Sequence, residues 1–377
     1  SRVHPAYGVF FTALLYLTIG PFFAAPRTGT VAYEVGILTF VPEGSEQLGL
    51  LIFTILFFAV ALLFSLYPTK IVDTVGKLLA PALVLLIVVL LAAAFINPMS
   101  SAGEAQEGYS SGAFVTGFLE GYNTMDALAS LVFAIIVINA IKALGIKDKG
   151  SILSAASKSG IIAITLLGVI YIGIAYLGST SVGALGLFDN GGPVLSGAAA
   201  HYFGNVGSIL LAVMIILACL TTAIGLITAN AEYFHTLFPK ISYKKLVVFF
   251  ATITFIIANF GLTNIISFSI PVLMFLYPLA IVLMLLTFAS PLFNNARLVY
   301  VATIGVTFLI AIVDGITTLS GTIGVEFGFI APVVDFYDAA LPLYNQGLGW
   351  LVPALVVMII TGIISRVSGG STAAETN

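Results

Sequence analysis

The sequence predicts an all-α, polytopic membrane protein, and three observations carry that reading. Of the 377 residues, 60% are hydrophobic and only 8% charged, with a mean hydropathy of +1.16. A soluble domain carries about a quarter charged residues, so these few could not cover a water-facing surface. The apolar residues fall into runs of about 18 to 22, the length a helix needs to cross a ~30 Å hydrocarbon core at ~1.5 Å per residue. A backbone inside lipid must satisfy its own hydrogen bonds, which makes these runs helices. Of the 13 Lys and Arg residues, all but Arg27 fall on one side if successive runs alternate in direction. Such a division is what correctly counted helices give under the positive-inside rule, and it sets both ends of the chain in the cytoplasm.

Ten runs are read, at 6–25, 48–67, 78–96, 112–141, 160–179, 207–230, 246–260, 269–290, 298–319 and 348–365. The longest outer loops are 26–47, 180–206 and 320–347. In the second of these, Asp189-Asn190-Gly191-Gly192-Pro193 is a turn signal. The small-residue stretch 194–200 after it reads either as a short helical cap over an outer vestibule or as an ordinary surface loop. Lys and Arg form no patch interleaved with aromatics, which sets nucleic acid aside as a partner. One cysteine, Cys219, precludes an internal disulfide. The chain opens Ser1-Arg2-Val3-His4-Pro5, with neither Met nor a signal peptide, and residue 1 reads as a cut point.

The fourth run carries the most chemistry. At ~1.5 Å per residue an unbroken helix over 112–141 would be about 45 Å long, more than one hydrocarbon core. Its outer half holds Glu120, Asp126, Gly117 and Gly121. An acid at the bilayer centre costs at least ~2.5 kcal/mol, so acids at this depth face a wet cavity or a partner. Gly121 loosens the helix, and Asn123 and Thr124 can bond to freed backbone groups, so an interruption near 121–123 is expected. A helix broken at mid-membrane exposes N–H groups suited to a carboxylate and carbonyls suited to a cation. In the other reading 97–123 is an outer loop and the helix starts at Thr124.

In the sixth run, Thr221 and Thr222 follow Ala218 by three and four residues, which puts two hydroxyls on the helix face over the Ala218 carbonyl. These three oxygens make half of a sodium site, or else each Thr simply bonds back to the preceding turn. Asp314 lies close to the outer end of its run, where its carboxyl is expected to reach water. His4, His201 and His235 are scattered without ligand spacing, and there is no nucleophile elbow, phosphate-cradling Gly loop or acid pair, so no enzyme is read.

At residues 10–30 (FFTALLYLTIGPFFAAPRTGT), 117–128 (GFLEGYNTMDAL) and 219–226 (CLTTAIGL), and loosely over the whole chain, the sequence resembles the branched-chain amino acid:cation symporters. These are the BrnQ-type family of the amino acid–polyamine–organocation superfamily. The resemblance implies a leucine-transporter-type fold of two inverted five-helix repeats followed by two further helices. It implies that residues 1–96 hold the last three helices of the first repeat, 97–290 the second repeat and 291–377 the two C-terminal helices and tail. Ten of an expected twelve transmembrane helices are then present and the chain is a fragment. The implied function is sodium-coupled symport of Leu, Ile and Val by alternating access, in a bacterial cytoplasmic membrane, with Na+ as coupling ion and no cofactor. Substrate contacts carry over to Phe118, Glu120, Gly121, Tyr122, Asn123 and Thr124, and cation ligands to Ala218, Thr221 and Thr222. Two rivals stay open: a proton-coupled carrier or channel in which Glu120 or Asp126 titrates, and a membrane subunit without transport activity.

Overall fold

The computed structural model describes residues 2–67, 70–105 and 108–367, and every regular element among them is helical. In chain order the helices are α1 (Pro5–Leu17), α2 (Ala24–Gly36), α3 (Glu46–Leu66), α4 (Lys70–Ile96), α5 (Ala113–Glu120), α6 (Asp126–Ala143) and α7 (Lys149–Leu185). There follow α8 (Gly191–Leu237), α9 (Tyr243–Ala258), α10 (Leu262–Ala289), α11 (Arg297–Ile323), α12 (Ala331–Ala340) and α13 (Leu351–Val367). Every one of the ten apolar runs is helical. Among the described residues seven helices are long and apolar enough to cross a membrane, and the bent stretch from Ala113 to Ala143 makes eight. The other two, α9 with 16 residues and α13 with 17, are about 24–26 Å long at ~1.5 Å per residue and fall short of a ~30 Å core.

The loops read as outer are shorter than the sequence suggests. Helix α2 fills the first half of 26–47, because the chain resumes helical geometry soon after a break at Gly20-Pro21. There a π-turn spans Thr18–Phe22, Gly20 has ψ −118°, and Pro21 lacks the N–H that would continue the ladder. The expected loop 180–206 reduces to 186–190. Stretch 194–200 is helical and forms the start of α8, whose N-terminus is capped by Asn190 Oδ1 accepting from the Gly192 N–H at 2.9 Å. Helix α8 turns at Gly204, whose φ of +60° an L side chain would oppose. Helix α10 runs on through Pro271 and Pro278.

Two compact units are present. One gathers Ile19–Ala105 and Phe133–Ile265, with its core around α2 and α8. Helix α2 is buried on most sides, at Ala25, Thr30, Ala32, Tyr33 and Val35 among others. Small residues let neighbours close on it: a Cβ at Gly29 would stand 2.7 Å from the Phe58 ring of α3, and one at Gly36 2.8 Å from Ile216 of α8. Several buried hydroxyls turn back on their own helices, as Thr54 does to the Leu50 carbonyl and Thr254 to that of Phe250, and so are answered locally. Helix α7 exposes Ile161, Ile162 and Ile164 nearly side by side, as hydrocarbon-facing helices do.

The second unit comprises residues 1–18, 106–132 and 266–377. Within it α11 packs chiefly on α13. The start of the chain is tied to α11, with Arg2 donating to the Tyr300 hydroxyl at 2.7 Å and Arg297 to the Val3 carbonyl at 3.1 Å.

Candidate functional site

The interruption expected near 121–123 is present and runs two residues further, to 125. Helix α5 stops at Glu120, a 3-10 turn covers Gly121–Thr124, and buried Met125 takes a left-handed φ of +59° before α6 begins. A non-glycine residue held there costs on the order of 1–3 kcal/mol, so its surroundings must impose the conformation. The residues around it close the break through local bonds. Thr124 donates to the Gly121 carbonyl at 2.8 Å, Asn123 donates to Glu120 Oε2 at 2.9 Å, and the Asp126 N–H donates to the Thr124 hydroxyl at 3.4 Å. Serine- and threonine-type bonds of this kind compete with the helix ladder, which is why the break falls here.

Of the six residues expected to contact substrate, Phe118, Glu120, Gly121 and Thr124 are exposed, Asn123 is half-buried and Tyr122 is buried. The exposed Glu120 carboxylate accepts from Asn123, a side-chain bond where the sequence suggested that Asn123 would meet freed backbone. Tyr122 is the anchor of the stretch: its ring packs edge-on to Phe118 at 5.6 Å and stacks on Tyr277 of α10 at 4.1 Å with an interplanar angle of 11°. An aromatic pair adds about 0.5–1.5 kcal/mol beyond its buried area, enough to fix where the break sits against α10.

In the other unit, the Thr221 and Thr222 hydroxyls both donate to the Ala218 carbonyl, each at 2.9 Å. Each hydroxyl therefore spends its only proton on that carbonyl. What remains outward is lone pairs, an acceptor-only edge of Thr221 (half-buried) and Thr222 (exposed) that a cation fits and an anion does not. The same bonds are those that threonines make in membrane helices generally, so the geometry accommodates a cation without requiring one.

Three features escaped the sequence reading. The Gly20-Pro21 break was signalled by its dipeptide within an apolar run. Against it lies Asn230 of α8, 1% exposed, so close that a Cβ on Gly20 would overlap its carboxamide. Asp314, expected to reach water, is instead 8% exposed, because α11 extends to Ile323 and the segment 331–350 folds beside it. In the unit built on α2 and α8, the first turns of α8 border a cavity of about 530 Å³ with Thr39, Phe40 and Phe188.

A family model described as branched-chain amino acid transport protein matches residues 1–368. The chain is 45% identical over 365 residues to the branched-chain amino acid permease BrnQ of Bacillus subtilis, covering 97% of this chain and 81% of that protein. It is 46% identical over 373 residues to BrnQ of Lactobacillus delbrueckii subsp. lactis, covering 97% and 82%. It is 42% identical over 364 residues to the branched-chain amino acid transport system 2 carrier protein of Pseudomonas aeruginosa, covering 96% and 80%. These relatives are named for transport and not for catalysis. With a match over nearly its whole length, the chain belongs to the branched-chain amino acid transport protein family.

Proposed function

We propose that the chain carries leucine, isoleucine and valine across a bacterial cytoplasmic membrane, driven by sodium, with both termini inside. The substrate class is that in the names of its relatives. The observation that carries sodium coupling is the acceptor-only edge of Thr221 and Thr222 over the Ala218 carbonyl. Residues 118–124 are the substrate contacts in this reading: the break offers backbone groups to the α-carboxylate and α-ammonium, while Phe118 and neighbouring apolar residues take the side chain. Apolar contacts separate ligands by only ~1–3 kcal/mol per methylene, so the three branched amino acids should all be accepted. Residues 97–290 act as the second of two inverted repeats, and rocking of helices about the break gives alternating access.

The test is uptake of labelled leucine by cells expressing the protein, with sodium replaced by choline at fixed pH. Uptake that collapses without sodium is the expected result. Uptake that ignores sodium but follows external pH, and is lost in Glu120→Gln or Asp126→Asn, would replace sodium by proton coupling.

A further inference from the structure

Within the unit that contains the break, the buried side-chain atoms without a hydrogen-bond partner include Asp314 Oδ2, the Tyr122 hydroxyl and the Trp350 indole nitrogen. Their residues are 8%, 4% and 1% exposed, and they come from three places in the chain: α11, the 3-10 turn after α5, and the residue leading into α13. The Tyr344 hydroxyl hydrogen-bonds to the Asp314 carboxyl, and Tyr344 also bonds to Thr317 one turn along α11. The segment carrying Tyr344 is itself seated on the break and on α10, since a Cβ at Gly347 would lie 2.9 Å from Leu119 and 3.2 Å from Met274. Beside the acid, α11 presses on α10 so closely that a Cβ at Gly315 would stand 3.1 Å from the Pro271 carbonyl. The carboxyl is thus enclosed by packed elements.

The titratable groups that bear on Asp314 are phenols: Tyr122 from the break, Tyr337 from α12 and Tyr344, with Tyr277 of α10 behind Tyr122. The Tyr344 phenol is pushed up to about 12, first by burial and then by the Asp314 charge, so it stands as a neutral hydroxyl. The three arginines of this unit lie elsewhere, Arg366 in the last turn of α13, 16 residues beyond Trp350. Arg297 opens α11, 17 residues and about 25 Å from Asp314 at ~1.5 Å per residue, and it is engaged with Val3, while Arg2 is engaged with Tyr300. A carboxylate withdrawn from water costs several kcal/mol, of which one phenol hydrogen bond returns only ~1.5–3. The balance calls for a positive charge.

We propose that Asp314, with the Tyr122 and Tyr344 oxygens, forms a binding site for a small monovalent cation, sodium or a proton, distinct from the Ala218, Thr221 and Thr222 set. One carboxylate neutralises a single positive charge. A divalent ion would want six or more oxygens with further acids among them. Trp350, a donor only, does not ligate; its indole lies beside the Tyr122 hydroxyl. Because Tyr122 belongs to the 3-10 turn, occupancy of this site bears directly on the conformation of the break. The site stands whether or not Thr221 and Thr222 bind sodium.

The test is thermal unfolding of the purified full chain in detergent, in NaCl against choline chloride at fixed pH, and across pH in choline. Wild type is compared with Asp314→Asn, Tyr344→Phe and, as a control, Asp338→Asn, an exposed acid of α12. The expected result is a cation-dependent rise in Tm that Asp314→Asn loses and Asp338→Asn keeps. Loss of the sodium arm identifies sodium. Loss of the pH arm, together with loss of a protonated-carboxyl band in the infrared spectrum, identifies the proton. Should Asp314→Asn not fold, Tyr344→Phe is expected to raise the half-saturating cation concentration about tenfold. Sodium and pH dependences that match wild type in Asp314→Asn, or in Tyr344→Phe where the first does not fold, would overturn the proposal.

Discussion

Thr221 and Thr222 show how a side chain can be satisfied and still available. Each donates its proton to the Ala218 carbonyl and keeps its lone pairs. If those lone pairs ligate sodium, removing one oxygen should raise the sodium concentration for half-maximal leucine uptake by about tenfold, near 1.4 kcal/mol, in Thr222→Ala. Thr222→Ser, which keeps the hydroxyl, should restore it. Equal sodium dependence in the two variants would reduce these threonines to ordinary back-bonding residues. The spacing of Ala218, Thr221 and Thr222 on one helix face made this arrangement legible in the sequence, because helical periodicity alone fixes it. The environment of Asp314 was not legible in the same way. Position within an apolar run tells how far an acid is from the run's end, and nothing about the α12 segment and Tyr344 that cover it.

Among the elements, the break after α5 was readable since its causes are local: Gly121, Asn123 and Thr124 supply the flexibility and the competing bonds within four residues. Its left-handed residue, Met125, was not, because such a φ is imposed by packing and not by a methionine. The start of α7 offers a test of a local cause by itself. Asp148 Oδ2 accepts from the Ser151 N–H at 2.8 Å, and that bond holds the carboxyl below its ordinary value. A carboxylate whose folded value is depressed lends its stabilisation above the unfolded value, near 3.9, and loses it as pH falls through the folded one. Amide exchange at Ser151 should therefore stay slow, once corrected for intrinsic rate, from pH 7 down to about 4 and quicken below that. Protection lost already near pH 6 would contradict the cap.

For the whole molecule, composition and the spacing of apolar runs were enough to read a multi-span helical membrane protein, and each of the ten runs lies largely within helix. They were not enough to tell which of the ten match a bilayer in length, since helix ends are set by caps and packing. Helix α9 begins just after Ser242 and ends where Asn259 and Gly261 turn the chain, with Lys244 and Lys245 in its first turn. A hydrophobic stretch shorter than the hydrocarbon core is met by thinning of the lipid and by snorkelling lysines, at fractions of a kcal/mol per ångström. Where α9 and α13, both several ångströms shorter than that core, meet lipid, the bilayer is expected to thin toward them. Acyl-chain length then becomes an external control on this protein. Reconstituted in a phosphatidylcholine series, it should reach its highest thermal stability in a bilayer thinner than ~30 Å and lose stability steadily as the chains lengthen. A stability independent of chain length would mean that neighbouring helices, and not lipid, cover those two ends. In the expected case a change in lipid composition acts on the carrier mechanically, with no ligand bound.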